Sequence, residues 1–254
     1  MKVSIVTITY NAARTLQRTL DSVACQTYAD IEHLIIDGAS KDDTLAIAER
    51  YQSQSRYTVL VQSEPDRGLY DAMNKGLQKA TGDYLVFLNA GDSLYSSDTV
   101  ETVVKALASQ SPAVIYGDTA ITDREGNFLH LRTHRPPKTL TWKSFKHGML
   151  VCHQAFYVRT DIAKKFPYDL QYRHSADVDW CIRVMREADR QGLTLVNTHT
   201  ILANFEEGGD TTQHHRDSLK ERFKIMMHHY GLVQTVVMHA WFVIRSLFRA
   251  GTQA

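Results

Sequence analysis

The chain has 254 residues, more than the ~100–150 of a typical domain and fewer than two comfortable ones, so one domain with insertions is expected. Its 29 basic and 28 acidic residues leave a net charge of +1 with the 12 histidines neutral, which argues against a nucleic-acid or other polyanion partner. Hydrophobic residues make up 43% and charged residues 22%, enough to bury a sizeable core and to exclude a wholly disordered chain.

One lysine precedes the run 3–9, in which Ser4, Thr7 and Thr9 interrupt the apolar residues and no small-residue cleavage pattern follows; it is predicted as a buried strand and not a targeting segment. Further strands are predicted at 33–37, 58–62, 84–89 and 113–118, alternating with helices at 13–22, 44–51 and 70–79. The first of these helices places Leu16, Leu20 and Val23 on one face. That alternation is the pattern of βαβ units, and it predicts an α/β fold with a Rossmann-like, mostly parallel central sheet flanked by helices. The strand ends carry Tyr10-Asn11, Asp37-Gly38 and Asn89-Ala90-Gly91-Asp92. Polar groups therefore gather where open parallel sheets bind ligands, beyond the carboxyl ends of the strands.

The second half is less regular. A strand is predicted at 155–158, a helix at 177–191 closed by Gly192, a strand at 194–205, a turn at 206–210 and a helix at 217–230. The apolar stretch 233–248 contains Gln234, Thr235, His239, Arg245 and Ser246, short of the ~18 uninterrupted apolar residues that span a bilayer. Aromatic residues with basic flanks suit either a membrane interface or a helix packed on the chain or in a homodimer. Cys25, Cys152 and Cys181 are odd in number and lack CxxC spacing, so neither a disulfide framework nor a cysteine zinc site is expected, and a reducing, cytoplasmic compartment fits.

Two acids stand out at strand tips. Asp37 can accept hydrogen bonds from a base or ribose, or it can belong to helix capping with Ser40, Asp42 and Asp43. Asp92 follows Gly91, a residue that permits close approach of backbone to ligand. Its carboxylate could hold a hard cation such as Mg²⁺, whose other oxygens come from water and a diphosphate, or it could form an ordinary Asx turn.

Taken in order, Val3 to Asn11, Ile35-Ile36-Asp37-Gly38-Ala39-Ser40-Lys41-Asp42, Tyr84 to Asp92 and Ser175-Ala176-Asp177 resemble the family 2 glycosyltransferases, which have the GT-A fold. The segments from Glu64 to Gly76 and His153-Gln154-Ala155 look like the subgroup that builds bacterial exopolysaccharide and O-antigen, colanic acid transferases included. The resemblance covers residues 1 to about 212. It implies a catalytic domain over 1–212, with a nucleotide-sugar half at 1–118 and an acceptor half at 119–212, followed by a C-terminal helical extension at 213–254.

By the same resemblance Asp37 contacts the nucleotide base, Asp92 holds Mg²⁺ or Mn²⁺ against the diphosphate, and Asp177 is the catalytic base. Thr9, Tyr10 and Asn11 line the nucleotide pocket, Asp66 and Asn74 lie in the matching loop and helix, and Asn89, Ala90 and Gly91 complete the donor loop. Asn89 and Gly91 stand where many relatives carry acids, and Met73 where many carry arginine. The activity implied is an inverting transfer of a sugar from a nucleotide-diphosphate donor to a glycan hydroxyl, the acceptor carried on a lipid at the inner face of the plasma membrane. A noncatalytic sugar-binding module with a reduced acid motif is the alternative. A nicotinamide-dependent oxidoreductase lacks its GxGxxG after the first strand.

Asp179 competes with Asp177 as base, but residues two apart on a helix point in different directions. His153, His174, His214-His215 and His228-His229 lack zinc-ligand spacing, although His214 or His215 could approach a diphosphate. Trp142, Phe145, His147 and Met149 are candidates for an acceptor cleft or for core.

Overall fold

Four apolar runs pair side by side in a computed structural model that describes residues 1–107, 111–208 and 215–250. They are β1 (Val3–Thr9), β2 (Ile31–Asp37), β3 (Thr58–Ser63) and β4 (Tyr84–Phe87), parallel in the order β3-β2-β1-β4. Every residue of β1 and β2 is buried, as expected of strands covered on both faces. Edge strand β3 is only partly covered. Helices α1 (Leu16–Ala24), α2 (Thr44–Gln54) and α3 (Leu69–Lys79) make the crossovers. Leu16, Leu20 and Val23 of α1 and Tyr70, Met73, Gly76 and Leu77 of α3 recur every three or four residues and are buried. Each fully buried large apolar side chain contributes about 1.5–3 kcal/mol.

Five more strands extend the same sheet: β5 (Ser93–Leu94), β6 (Val114–Thr122), β7 (Phe128–Leu131), β8 (Phe156–Arg159) and β9 (Leu195–Glu206). The order is β3-β2-β1-β4-β8-β6-β9-β5, with β7 paired to β6. β8 runs antiparallel to both β4 and β6, while β9 is parallel to β6. The fold is therefore α/β with a mostly parallel sheet. β4 stops at Phe87, two residues short of the predicted end, because the chain turns into the 89–92 loop. In β9 the left-handed His199 (φ 56°) accompanies register shifts against β6. Two short helices, α4 (Thr99–Lys105) and α5 (Thr160–Ala163), together with β5 and β7, lie outside the predicted elements.

Helix α6 (Ala176–Arg190) is pinned to the sheet by Trp180, which stacks on Tyr168 at 5.0 Å and meets Phe87 and Phe156 edge-on. That packing sets its N-terminal turn, and with it Asp177, above the carboxyl end of β4. Helices α7 (His215–Tyr230) and α8 (Leu232–Ala250) follow, joined by Gly231 (φ 83°). His229 of α7 is buried and meets Asp179 of α6 at 2.7 Å, with Arg183 on the other carboxylate oxygen at the same distance. Of the predicted turn at 206–210, Gly209 and Asp210 lie outside the described residues, as do the boundary at 212/213 and His214. No helix among the described residues is long and apolar enough to cross a membrane.

Candidate active site

The loops that follow the parallel strands β1, β2, β3 and β4, with the turn at His153 and Gln154 and the start of α6, enclose a crevice of about 930 Å³. Thr9, Tyr10, Asp66, Asn89, Ala90, Gly91, Asp92 and Asp177 all line it. Asn11, Asp37 and Asn74 are not among its lining residues.

The first wall is the β1 and β2 ends, stitched together by side chains. Asn11 takes a left-handed backbone (φ 48°), donates its N–H to Ser40 Oγ at 2.8 Å and accepts the Lys41 N–H at 2.8 Å. Asp37 is wholly buried beneath this loop, accepting from the Ser40 N–H at 3.0 Å, the Ser40 hydroxyl and the Ser63 hydroxyl at 2.6 Å. Both its oxygens are thus engaged, by Ser40 in the loop and by Ser63 at the end of β3, and neither caps α2, which begins at Thr44. A Cβ at Gly38 would lie 2.5 Å from Asp66 Oδ2, so a side chain there would displace the Asp66 carboxylate. Asn74 points elsewhere, exchanging two hydrogen bonds with the backbone of Tyr168 at 3.0 and 2.7 Å.

The second wall is the 89–92 loop. Ala90 donates its N–H to Ile8 O at 3.0 Å, so the loop continues beside β1 after the strand has ended. Helix α1 clamps it: Thr19 Oγ1 accepts the Gly91 N–H at 3.0 Å and donates to Asp92 O at 2.6 Å, while Arg18 donates to Gly91 O at 2.7 Å and pairs with Glu206. The Asp92 carboxylate is 6% exposed, accepts from Gln154 Nε2 at 2.7 Å and faces the Glu206 N–H at 3.4 Å. Burial pushes its pKa up to about 6, against the opposing effects of the Gln154 hydrogen bond and His153.

The third wall is the short 3₁₀ turn His153–Ala155 and the start of α6. Asp177 Oδ1 accepts the Tyr70 hydroxyl at 3.1 Å and the Val178 N–H at 3.0 Å, and Oδ2 lies 3.3 Å from His153 Nδ1. On its other side His153 Nε2 meets Asn89 Nδ2 at 3.3 Å. With the Asn89 amide donating, the imidazole proton sits on Nδ1 and is donated to Asp177. Burial opposes ionisation of Asp177, but the His153 contact, the Arg222 charge and the Tyr70 hydroxyl outweigh it and hold the carboxyl below its usual range. Burial and the Asp177 charge raise the Tyr70 hydroxyl well above its ordinary value, so it remains a donor.

Asp179 does not line the crevice, since His229 and Arg183 occupy its carboxylate on the α7 side of the helix. Phe145 and Met149 are buried in the core, and Trp142 stacks on Tyr230 at 5.7 Å, outside the crevice. Gln154, Tyr70, Arg173 and Glu206 do line it, and the residue-by-residue reading of the sequence assigned them no role.

Among the described residues no three His, Cys, Asp or Glu side chains form a cluster able to hold a metal ion. The donor set still fits a hard cation sparsely. Asp92 is the one acid in its loop, and Mg²⁺ or Mn²⁺ held there would take its remaining oxygens from a diphosphate and water.

The model of Glycosyl transferase family 2 matches residues 4–166. The chain belongs to this family. A PGL/p-HBAD biosynthesis glycosyltransferase of Mycobacterium tuberculosis is 36% identical over 208 residues, 81% of this chain and 77% of that protein. Among solved structures, TarS of S. aureus in complex with UDP-GlcNAc superposes with a TM-score of 0.67 at 15% identity, over 89% of this chain and 67% of that one. The mannosyltransferase PcManGT of Pyrobaculum calidifontis, in complex with GDP-Man and Mn²⁺, gives 0.65 at 15% identity over 99% and 79%. The fold is that of the GT-A glycosyltransferases, and this family 2 member is a glycosyltransferase enzyme.

Proposed function

We propose that this family 2 glycosyltransferase transfers a sugar from a nucleotide-diphosphate donor to a hydroxyl of a glycan acceptor, with inversion at the anomeric carbon. The acceptor is lipid-linked and the product belongs to a bacterial surface polysaccharide assembled on the cytoplasmic side of the membrane. The observation that carries this reading is the convergence of Asp92 and Asp177 on one crevice, joined through Gln154-His153 and Asn89.

Thr9, Tyr10, Asp66 and the 89–91 loop hold the donor. The Thr9 hydroxyl and Asn89 Oδ1 are buried without hydrogen-bond partners, and a bound ligand is the natural way to satisfy such groups. Asn11 and Asp37 act from behind, fixing the loop on which the nucleotide rests, and Asn74 anchors α3. Asp92 would hold Mg²⁺ or Mn²⁺, which when bound neutralises the departing diphosphate.

Asp177 receives the acceptor's proton. A carboxylate has about four acceptor positions, and Tyr70, Val178 and His153 fill three of them. One lone pair is left for the incoming hydroxyl. As the acceptor oxygen bonds to the anomeric carbon, the bond to the diphosphate oxygen breaks and the proton passes to Asp177. A carboxylate held below its usual pKa is a weak base, so orientation must supply much of the rate. Attack from the side opposite the leaving group inverts the anomeric centre.

The test is a screen of nucleotide sugars with Mg²⁺ or Mn²⁺, reading nucleoside diphosphate release and then the anomeric configuration of the product by NMR. Inversion is expected; a retained configuration would overturn the single-base mechanism.

A further inference from the structure

Helix α8 is inside out for a helix on the surface of a protein in water. Its buried side over the first turns is formed by Thr235 and Met238, with His239 packed between Phe223 and Phe242 at 4.8 and 5.6 Å. Its outward side carries Leu232 (58% exposed), Val233 (78%), Val236 (50%), Val237 (60%) and Trp241 (52%). At 100° per residue these five positions cover about half of the helix circumference. The remaining sequence of α8, Val243 to Arg249, keeps apolar residues at the same spacing and adds two arginines.

The charge pattern says what covers this face. From Arg222 to the C-terminus there are 33 residues with four basic ones, Arg222, Lys224, Arg245 and Arg249, and no acidic one; Arg222 turns toward Asp177, with its Nε buried, while Lys224 is exposed. The preceding 221 residues are net −3. A second copy of the chain would satisfy the apolar face equally well, but it gives no reason for the missing acids, and a twofold contact would bring like charges together. An anionic surface accounts for both features.

We propose that α8 docks on an anionic phospholipid surface. The helix lies in the plane of the interface, its valines and Leu232 immersed at the headgroup–acyl boundary, Trp241 at headgroup level, and the net positive, acid-free segment, with the exposed Lys224, favours lipid phosphates. Helix α7 connects this contact to the active site, because its Glu221 and Ser218 hydrogen-bond the segment 173–175 that precedes Asp177. The inference concerns where the enzyme sits, and it stands or falls apart from the donor and acceptor assigned above.

Flotation of the full chain with phosphatidylcholine vesicles, and with vesicles of phosphatidylcholine and phosphatidylglycerol in equal parts, tests it. Binding to the mixed vesicles is expected, weakened by added salt and reduced about tenfold or more in a Val233→Glu, Val237→Glu variant. Both positions are exposed, so circular dichroism and turnover of a soluble acceptor should match the wild type. Absence of binding to the mixed vesicles, or binding unchanged in the variant, would overturn the proposal. So would a wild-type dimer in sedimentation equilibrium that ignores vesicles and becomes monomeric in the variant.

Discussion

Glu221, on α7, accepts the backbone N–H of Arg173 at 2.8 Å and that of the next residue, His174, at the same distance. The family model ends at residue 166, so this contact ties the end of the chain to a loop beyond the matched region. Ser218 and Ser175 reinforce it through their hydroxyls at 3.0 Å. Helix α7 therefore supports the crevice wall that carries Arg173 and Asp177.

Glu221→Ala removes two charge-assisted hydrogen bonds, each worth about 1.5–3 kcal/mol when intact. The expected result is a fall in kcat of about tenfold or more with little change in donor affinity, and partial recovery in Glu221→Gln, which keeps an accepting oxygen. Steady-state kinetics with calorimetric titration of the donor check it. An unchanged kcat in Glu221→Ala would remove α7 from the account.

His153 is one of the groups that hold Asp177 ionised against the effect of burial. Its removal in His153→Ala shifts the Asp177 pKa upward, so the acid limb of the kcat/KM profile should move to higher pH. Turnover near neutral pH should fall about ten- to a hundredfold, the range set by loss of an orienting partner. A profile superimposable on that of the wild type would contradict the Asn89–His153–Asp177 relay.

Stability should carry its own pH signature. His33 is wholly buried between Thr7 Oγ1 at 2.9 Å and the Tyr51 hydroxyl at 3.0 Å, and burial pushes its pKa down to about 3. Its folded pKa lies below the ordinary value of 6.5, so the unfolded chain takes up a proton first as pH falls. The contribution is complete above pH 6.5 and is lost progressively toward pH 3, at roughly 1.4 kcal/mol per pH unit. Urea unfolding at pH 7 and pH 5 should give a smaller loss for His33→Gln than for the wild type. Parallel losses in the two proteins would contradict it.

The first half of the fold is legible in the sequence because β1, β2 and β4 are buried on both faces and read as apolar runs, with Leu16, Leu20 and Val23 at clear helical spacing. Asp92 and Asp177 could be found in it through motif and position. Their supports could not be read as local patterns. Arg18 reaches Gly91 across 73 positions and Glu206 across 188, and Gln154 reaches Asp92 across 62. Nothing in the local periodicity marks such contacts. The left-handed turn at His199 interrupts the register of β9 without shortening it, so the strand predicted at 194–205 is matched at Leu195–Glu206, whereas two-residue β5 offers no period at all.

In the proposed mechanism two acids in one crevice divide the labour, Asp92 at the diphosphate and Asp177 at the acceptor. The decisive measurement is donor affinity and product formation in Asp177→Asn with the donor found in the screen. Donor affinity should stay within about threefold of wild type while transfer falls by about 10²-fold or more, the scale of general-base catalysis. Full transfer activity in Asp177→Asn would contradict it.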